Sequence, residues 1–105
     1  MSTQADTATT EPEVLWRPDE ATVRRARVTA FAERVAREHG VTVDDYEGLW
    51  RWSTDDLAGF WGTLADHLGV RFHEAPRTVL GSAEMPGAEW FPGATLNYAE
   101  HALFP

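Results

Sequence analysis

The sequence predicts a mainly α-helical fold, with three or four short helices followed by an irregular C-terminal half that has room for one short strand. Three observations support this prediction. Apolar residues recur at helical spacing through much of residues 18–68. Two Ser/Thr-x-x-Asp signals, each typical of a helix start, lie about eleven residues apart. Residues 73–94 are interrupted by proline and glycine pairs that favour turns.

Length, charge and composition limit the possible functions. A chain of 105 residues forms about one small domain. The formal charge of -8 disfavours nucleic acid and anionic lipid surfaces as partners. Cysteine is absent, which rules out disulfides and suits a cytoplasmic location. Since no apolar segment approaches the roughly 20 residues of a membrane span, we expect no membrane insertion.

Residues 1–13 are predicted to form a disordered tail. They are small, polar and acidic, and they include no large apolar side chain after Met1 that would offset the entropy of ordering them. Three large apolar residues arrive together at Val14, Leu15 and Trp16. The folded domain is therefore expected to occupy residues 14–105.

The first helix is predicted to run from Pro18 to just before Gly40. Proline suits a first helical turn, and the acidic Asp19 and Glu20 suit the positive N-terminal end of a helix. Glycine commonly ends a helix. The residues at helical spacing are Val28, Phe31, Ala32, Val35, Ala36 and His39.

Two further helices are predicted to start at Thr42 and Ser53, each followed three residues later by an aspartate. The acidic pairs at 44–45 and 55–56 are therefore interpreted as helix caps, because adjacent carboxylates on one helical turn point apart and suit acid–base catalysis poorly. The apolar stripe of the third helix, which ends at Gly69, is Leu57, Phe60, Trp61, Leu64 and Leu68.

The C-terminal half is expected to contain little regular structure before a last helix. Residues 70–72 and 78–80 are each short candidates for a strand. The last helix is predicted over Thr95–Leu103, with Leu96, Ala99 and Leu103 on one face.

The sequence contains no recognisable catalytic or metal-binding arrangement. The four histidines are not paired at helical spacing, no serine lies in a G-x-S-x-G motif, and no glycine-rich phosphate loop is present. We therefore expect no catalytic residue, no metal site and no bound cofactor in this chain.

The aromatic residues divide into a predicted core and a predicted contact surface. Phe31, Trp50, Phe60 and Trp61 are expected to form the core of the helical part. Trp90 and Phe91 lie in a long irregular segment, which is unusual inside a complete small domain. We expect this pair to meet a surface supplied by another part of a larger protein.

A basic cluster at Arg24, Arg25 and Arg27 has two interpretations. It contacts an anion or another part of a larger protein; otherwise it is a solvated helix face.

Several motifs together resemble a known family. They are Leu15-Trp16-Arg17-Pro18, residues 46–53 (YEGLWRWS), Phe60-Trp61, Gly69-Val70-Arg71-Phe72 and residues 85–100 (MPGAEWFPGATLNYAE). The chain closely resembles the N-terminal region of acetoacetyl-CoA synthetases, also called acetoacetate-CoA ligases. More broadly, it is similar to the N-terminal domain of acetyl-CoA synthetases in the adenylate-forming superfamily.

The resemblance implies an N-terminal accessory domain, an incomplete part of a larger cytoplasmic α/β ligase. Such a ligase activates acetoacetate with ATP and magnesium and transfers it to coenzyme A. The family's catalytic motifs, including an essential lysine, have no counterpart in this chain, which contains no lysine. The chain alone is therefore expected to be inactive. The residues expected to dock on the nucleotide-binding core are Trp90, Phe91, Pro92, Gly93, Leu96, Asn97 and Tyr98.

One alternative remains open from the sequence. The same aromatic surface would also suit a stand-alone helical protein-interaction module with no catalytic activity, which recruits a separate partner protein.

Overall fold

The computed structural model describes residues 11–105, and it is mainly helical. The helices are α1 (Glu20–Arg25), α2 (Arg27–His39), α3 (Tyr46–Asp55), α4 (Leu57–His67) and α5 (Tyr98–Leu103). The disordered tail predicted for residues 1–13 lies mostly outside the described residues; residues 11–13 are exposed coil. Within residues 11–105, every helix is too short or too polar to cross a lipid bilayer.

The first predicted helix is divided in two, which raises the number of helices from four to five. Ala26 has an extended backbone (φ -63°, ψ 141°), so α1 ends and α2 begins at this residue. The carbonyl oxygen of Val23 accepts from the Ala26 N–H at 3.2 Å at the end of α1, and it also accepts from the hydroxyl of Thr29 in α2 at 2.6 Å. No glycine or proline marks this position, so the sequence pattern did not reveal the break.

Aspartates cap α3 and α4, but the predicted starts of these helices were wrong. Asp45 Oδ1 accepts from the backbone N–H of Gly48 at 2.8 Å, and Asp56 Oδ1 accepts from Gly59 at 3.0 Å. The predicted caps, Thr42 and Ser53, lie three residues too early. A carboxylate at the cap accepts an N–H bond and also favours the positive helix end.

The core lies where α2, α3 and α4 meet, and it is small. Its buried apolar residues are Phe31, Val35 and Trp52, and Phe60 is partly buried against them. The prediction that Trp50 and Trp61 belong to the core was wrong, because they are 51% and 42% exposed. Trp52 lies two positions after Trp50, on the opposite side of α3, and it is this ring that faces α2 and α4.

Polar contacts also hold α2 against α4. The guanidinium of Arg34 bonds Glu38 within α2 at 2.9 Å and reaches Asp66 on α4. The hydroxyl of Thr63, which is only 9% exposed, lies 2.8 Å from Nε2 of His39. Thr63 is the one buried polar side chain in the described part of the chain, and this contact gives it a hydrogen-bond partner.

The C-terminal half folds back on itself without forming a continuous strand. Isolated antiparallel bridges join Glu74 to Thr95 and Leu80 to Trp90. Further backbone hydrogen bonds join residues 73–81 to residues 89–95; in one of them the Gly81 N–H donates to the Glu89 carbonyl at 2.8 Å. Of the two strand candidates, only residues 78–80 take part in pairing, through the Leu80 bridge.

The described part of the chain is elongated for its length. Its Cα radius of gyration is 19.8 Å, whereas a compact domain of this size has about 13 Å. Large apolar side chains at both ends of the described part are exposed. These features indicate a fold that has more apolar surface than its own small core covers.

Candidate docking site

Exposed apolar side chains cluster in sequence around α5. Leu96 is 48% exposed, Tyr98 83%, and Leu103 and Phe104 each 70%. We call these four residues the α5 surface. Isolated exposed apolar residues are common in soluble proteins, but several large ones on a short helix and the residues next to its two ends are typical of a contact site.

Trp90 and Phe91 each pack one side of their ring against the same chain. The Trp90 ring lies 5.9 Å from that of Trp61, and the Phe91 ring lies 5.7 Å from that of Phe72. Trp90 nevertheless remains 42% exposed, and Phe91 is partly buried. Trp90 therefore keeps exposed surface for a contact and Phe91 keeps less, and the contact of this pair with another part of a larger protein stays a prediction.

The backbone of Phe91 is held in an unusual conformation. Its φ of 49° is in the left-handed region, which large side chains rarely adopt. The N–H of Phe91 donates to the carbonyl of Val79 at 2.7 Å. This bond and the packing on Phe72 support the strained residue, so that Trp90 and Phe91 leave the backbone in fixed directions.

Pro92, Gly93 and Asn97 have structural positions within the predicted docking motif. The Pro92 carbonyl accepts from the Arg77 N–H at 2.9 Å, and Gly93 has a φ of +87° that suits glycine. Asn97 caps α5, since its Oδ1 accepts from the Glu100 N–H at 3.3 Å. Among the predicted docking residues, Trp90, Leu96 and Tyr98 are thus the ones with large exposed apolar groups.

Helix α5 is tied to residues 71–74 by polar contacts. Arg71 bonds the carbonyl oxygens of Glu100 and Phe104 at 3.1 and 2.7 Å. His73 Nε2 lies 3.1 Å from Glu100 Oε1. The contacts with His73, and with Arg71, lower the pKa of the Glu100 carboxyl below its ordinary value. These contacts set the orientation of the α5 surface relative to the rest of the chain.

A second apolar region, which the sequence analysis did not identify, lies among α2, α3 and α4. This interhelical groove has a volume of about 620 Å³. Trp50, which the sequence analysis assigned to the core, lines this groove and is 51% exposed. Its lining includes Val28, Phe31, Leu49, Trp50, Phe60, Leu64 and Leu68.

The three arginines of the basic cluster do not share one helix. Arg24 and Arg25 occupy the last turn of α1, and Arg27 begins α2 at the edge of the interhelical groove. All three are exposed. Arg24 lies 3.8 Å from Glu20, a surface pair that contributes little to stability. The three arginine side chains therefore lie on the surface of the described part of the chain.

The described residues contain no arrangement for metal chemistry. Among residues 11–105, no three His, Asp or Glu side chains lie close enough together to hold a metal ion. The acidic pairs are explained by helix capping at Asp45 and Asp56.

Comparison with known proteins identifies relatives over most of the chain. It is 33% identical over 97 residues to acetoacetyl-CoA synthetase of Macaca fascicularis, which covers 89% of this chain and 14% of the relative. It is 34% identical over 95 residues to a malonamoyl-CoA synthetase of Penicillium aethiopicum, covering 89% of this chain and 13% of the relative. The chain therefore spans about one seventh of the length of the curated relatives it matches.

A solved structure shares the fold. Acetoacetyl-CoA synthetase from Streptomyces lividans matches with a TM-score of 0.82 and 48% identity, covering 89% of this chain and 15% of that one. The family model for the acetyl-coenzyme A synthetase N-terminus matches residues 46–102, more than half of the chain. The resemblance inferred from the motifs is confirmed, and the chain belongs to the acetyl-coenzyme A synthetase N-terminal family.

Proposed function

We propose that this chain is the N-terminal accessory domain of an acetoacetate-CoA ligase and that it docks on the nucleotide-binding core through Trp90 and the α5 surface. The whole ligase activates acetoacetate with ATP and magnesium and transfers it to coenzyme A in the cytoplasm. The observation that carries the proposal is the exposure of the motif residues Trp90, Leu96 and Tyr98 in a chain that matches only 15% of a synthetase at 48% identity.

Acetoacetate is the favoured substrate because of the degree of similarity. The solved acetoacetyl-CoA synthetase is 48% identical to this chain and carries this choice, since the Macaca fascicularis acetoacetyl-CoA synthetase and the malonamoyl-CoA synthetase are about equally similar, at 33% and 34%. The comparisons give no support to a stand-alone interaction module, since the matched proteins are synthetases several times longer than this chain.

The chemistry of the ligase is assigned to the remainder of the protein. ATP and coenzyme A are polyanions, and a chain with a formal charge of -8 attracts them poorly. The sequence also contains no lysine that could contact a phosphate or carboxylate. We therefore assign this chain a structural role in which it covers and supports the nucleotide-binding core of the ligase.

The basic cluster is a second proposed contact. Arg24, Arg25 and Arg27 are exposed and lie around the break between α1 and α2. In the complete ligase we propose that they face either the core or a phosphate of coenzyme A. Changing all three to glutamine should then raise the KM for coenzyme A several-fold or weaken docking. Unchanged kinetics and unchanged docking would indicate a solvated helix face.

A chimera tests the docking proposal. Residues 11–105 replace the matching segment of the Streptomyces lividans synthetase, and acetoacetyl-CoA formation is measured. We expect activity within about tenfold of that enzyme, because the two segments share 48% identity and the same fold. Deleting the segment should abolish activity or yield insoluble protein, because the apolar docking face of the core would be exposed to water.

Two matched substitutions locate the docking surface. Tyr46 and Tyr98 are 81% and 83% exposed, and each is the first residue of a helix behind an Asp or Asn cap. Aspartate suits both positions, so neither change should unfold the chain. Tyr98→Asp should lower the activity of the chimera at least about tenfold by placing a charge in the apolar contact, whereas Tyr46→Asp should leave it nearly unchanged.

Two results would contradict the proposal. Equal effects of Tyr46→Asp and Tyr98→Asp would remove the evidence that the α5 surface is the contact. Turnover of acetoacetate, ATP and coenzyme A by the isolated 105-residue chain would show that this chain is catalytic and not accessory.

A further inference from the structure

Helix α5 carries Tyr98 and Leu103 of the proposed docking surface and lies between Leu96 and Phe104, yet it cannot hold its own orientation. It has six residues, and none of them is buried. An isolated helix shorter than about 12–15 residues is marginal in water. Contacts from outside the helix must therefore keep it in place.

Arg71 makes the most extensive set of these contacts. Its Nη2 donates to the carbonyl oxygens of Glu100 at 3.1 Å and Phe104 at 2.7 Å. Its Nε lies 3.4 Å from Glu100 Oε2. Its backbone N–H donates to Nε2 of His101 at 2.8 Å. One residue thus reaches both the middle and the C-terminal end of α5.

The geometry suits arginine specifically. The last carbonyls of a helix lack the full set of partners that interior carbonyls have, and a cation there also interacts favourably with the helix dipole. The Glu100 carbonyl accepts from the Phe104 N–H at 2.9 Å as well as from Arg71. The planar guanidinium presents several N–H donors in a fixed fork and can bond two carbonyls and a carboxylate together. Lysine has a single ammonium group and cannot reproduce this spread of contacts.

His101 adds a protonation requirement to the same cluster. Its Nδ1 lies 2.9 Å from the carbonyl oxygen of Asn97, so this nitrogen carries the hydrogen and donates. Its Nε2 then accepts from the Arg71 N–H and must be unprotonated. The other titratable side chains at the cluster are His73, which faces Glu100, and Glu74, whose carboxylate faces Thr95.

We propose that Arg71 is a positioning residue, which fixes α5 so that Tyr98, Leu103 and Phe104 meet the ligase core as a preformed surface. Preorganisation of this kind lowers the cost of ordering a segment on binding. The identity of the partner rests on the proposed function, but the hold of Arg71 on α5 can be measured without it.

Hydrogen–deuterium exchange in the 105-residue chain is the first test. Arg71→Met should accelerate exchange of the α5 amides about tenfold, because the hydrogen bonds to the guanidinium are lost. Amides of α2 and α4 should exchange as before, since the hydrogen bonds described for Arg71 all go to residues 100–104. Arg51→Met is the matched control, because the Arg51 guanidinium bonds Glu47 within α3, at 2.8 Å, and its loss should leave α5 unchanged.

The conservative variant and a spectroscopic signal separate positioning from general stability. Arg71→Lys should fail to restore slow exchange. In nitrogen NMR of the unsubstituted chain at neutral pH, His101 should have a protonated Nδ1 and an unprotonated Nε2, and in Arg71→Met this pure tautomer should become a mixture.

The outcomes distinguish this inference from the proposed function. Unchanged α5 exchange in Arg71→Met, or equal acceleration in α2, would overturn the positioning role. Full rescue by Arg71→Lys would overturn the argument from the guanidinium fork. If instead the unsubstituted chimera left the Tyr98 ring as exposed as in the isolated chain, the docking proposal would fail, whatever Arg71 does to α5.

Discussion

Replacing Phe31 by alanine tests whether the small core at α2, α3 and α4 holds the domain together. Phe31 is 5% exposed, and its ring packs edge-on against Phe60 at 5.8 Å and against His67 at 5.3 Å. A buried phenylalanine removes at least about 150 Å² from water, which at about 25 cal/mol per Å² corresponds to about 4 kcal/mol. Measured Phe→Ala costs are about 3–5 kcal/mol.

The position of Phe31 places the expected cost at the lower end of this range. The ring also lines the open interhelical groove. Neighbouring side chains and water can therefore occupy part of the space that the ring leaves, which reduces the cavity contribution. We expect a loss of about 3 kcal/mol, a large share of the roughly 5–15 kcal/mol that stabilises a domain.

Urea unfolding followed by circular dichroism measures this loss. With a slope of about 1.5 kcal/mol per molar, the midpoint for Phe31→Ala should fall by about 2 M. Tyr98→Ala, at an 83% exposed position, is the matched control and should change the free energy of unfolding by less than about 0.5 kcal/mol. Similar midpoint shifts for the two variants would refute the assignment of core and docking surface.

Three further predictions follow from individual contacts. Asp56→Ala removes the acceptor for the Gly59 N–H at the start of α4 and should cost about 1 kcal/mol, read from the thermal midpoint; no change would contradict the cap assignment. Gly93→Ala should lower the free energy of unfolding by about 1–2 kcal/mol, because φ is +87° and a Cβ there would lie 2.7 Å from Arg77 Nη1. Gly87→Ala, with φ +99° and no atom within 4 Å of the added Cβ, should show the backbone cost alone. A neutral result for both variants would contradict the turn geometry. Helix caps and ion pairs lower the pKa values of Asp19, Glu38 and Glu100 in the folded chain. Their contribution to stability is therefore present above the ordinary pKa values of 3.8 and 4.5 and is lost as the pH falls through the folded values. The thermal midpoint should drop on acidification below about pH 4.5, and a rising midpoint would contradict the sign of this linkage.

Local signals predicted the helices better than their ends. The apolar spacing located α2 and α4, and Gly40 ends α2 with a left-handed φ of 66° as expected. The break at Ala26 was missed because no glycine or proline marks it; the Thr29 hydroxyl bonds back across it to the Val23 carbonyl. The caps were shifted because aspartate and Ser/Thr are both good caps and lie three residues apart in the same motif.

Tertiary packing decided which aromatic residues are buried. Trp50 and Trp52 are both in α3, and composition does not distinguish them; only the position of α2 and α4 buries Trp52. The motif around Trp90 and Tyr98 identified the family because its residues are specific in sequence. The role of Arg71 was not predicted, since its partners on α5 lie about 30 residues away in the chain.

Covalent footprinting of the two tyrosines measures the docking surface most directly. The sequence has two tyrosines, and their nearly equal exposure in this chain makes each an internal reference for the other. Hydroxyl-radical oxidation of both rings is compared between the 105-residue chain and the chimera with the Streptomyces lividans synthetase. We expect Tyr98 to become several-fold less reactive in the chimera while Tyr46 keeps its reactivity. A Tyr98 ring that reacts equally fast in both proteins would contradict docking through α5.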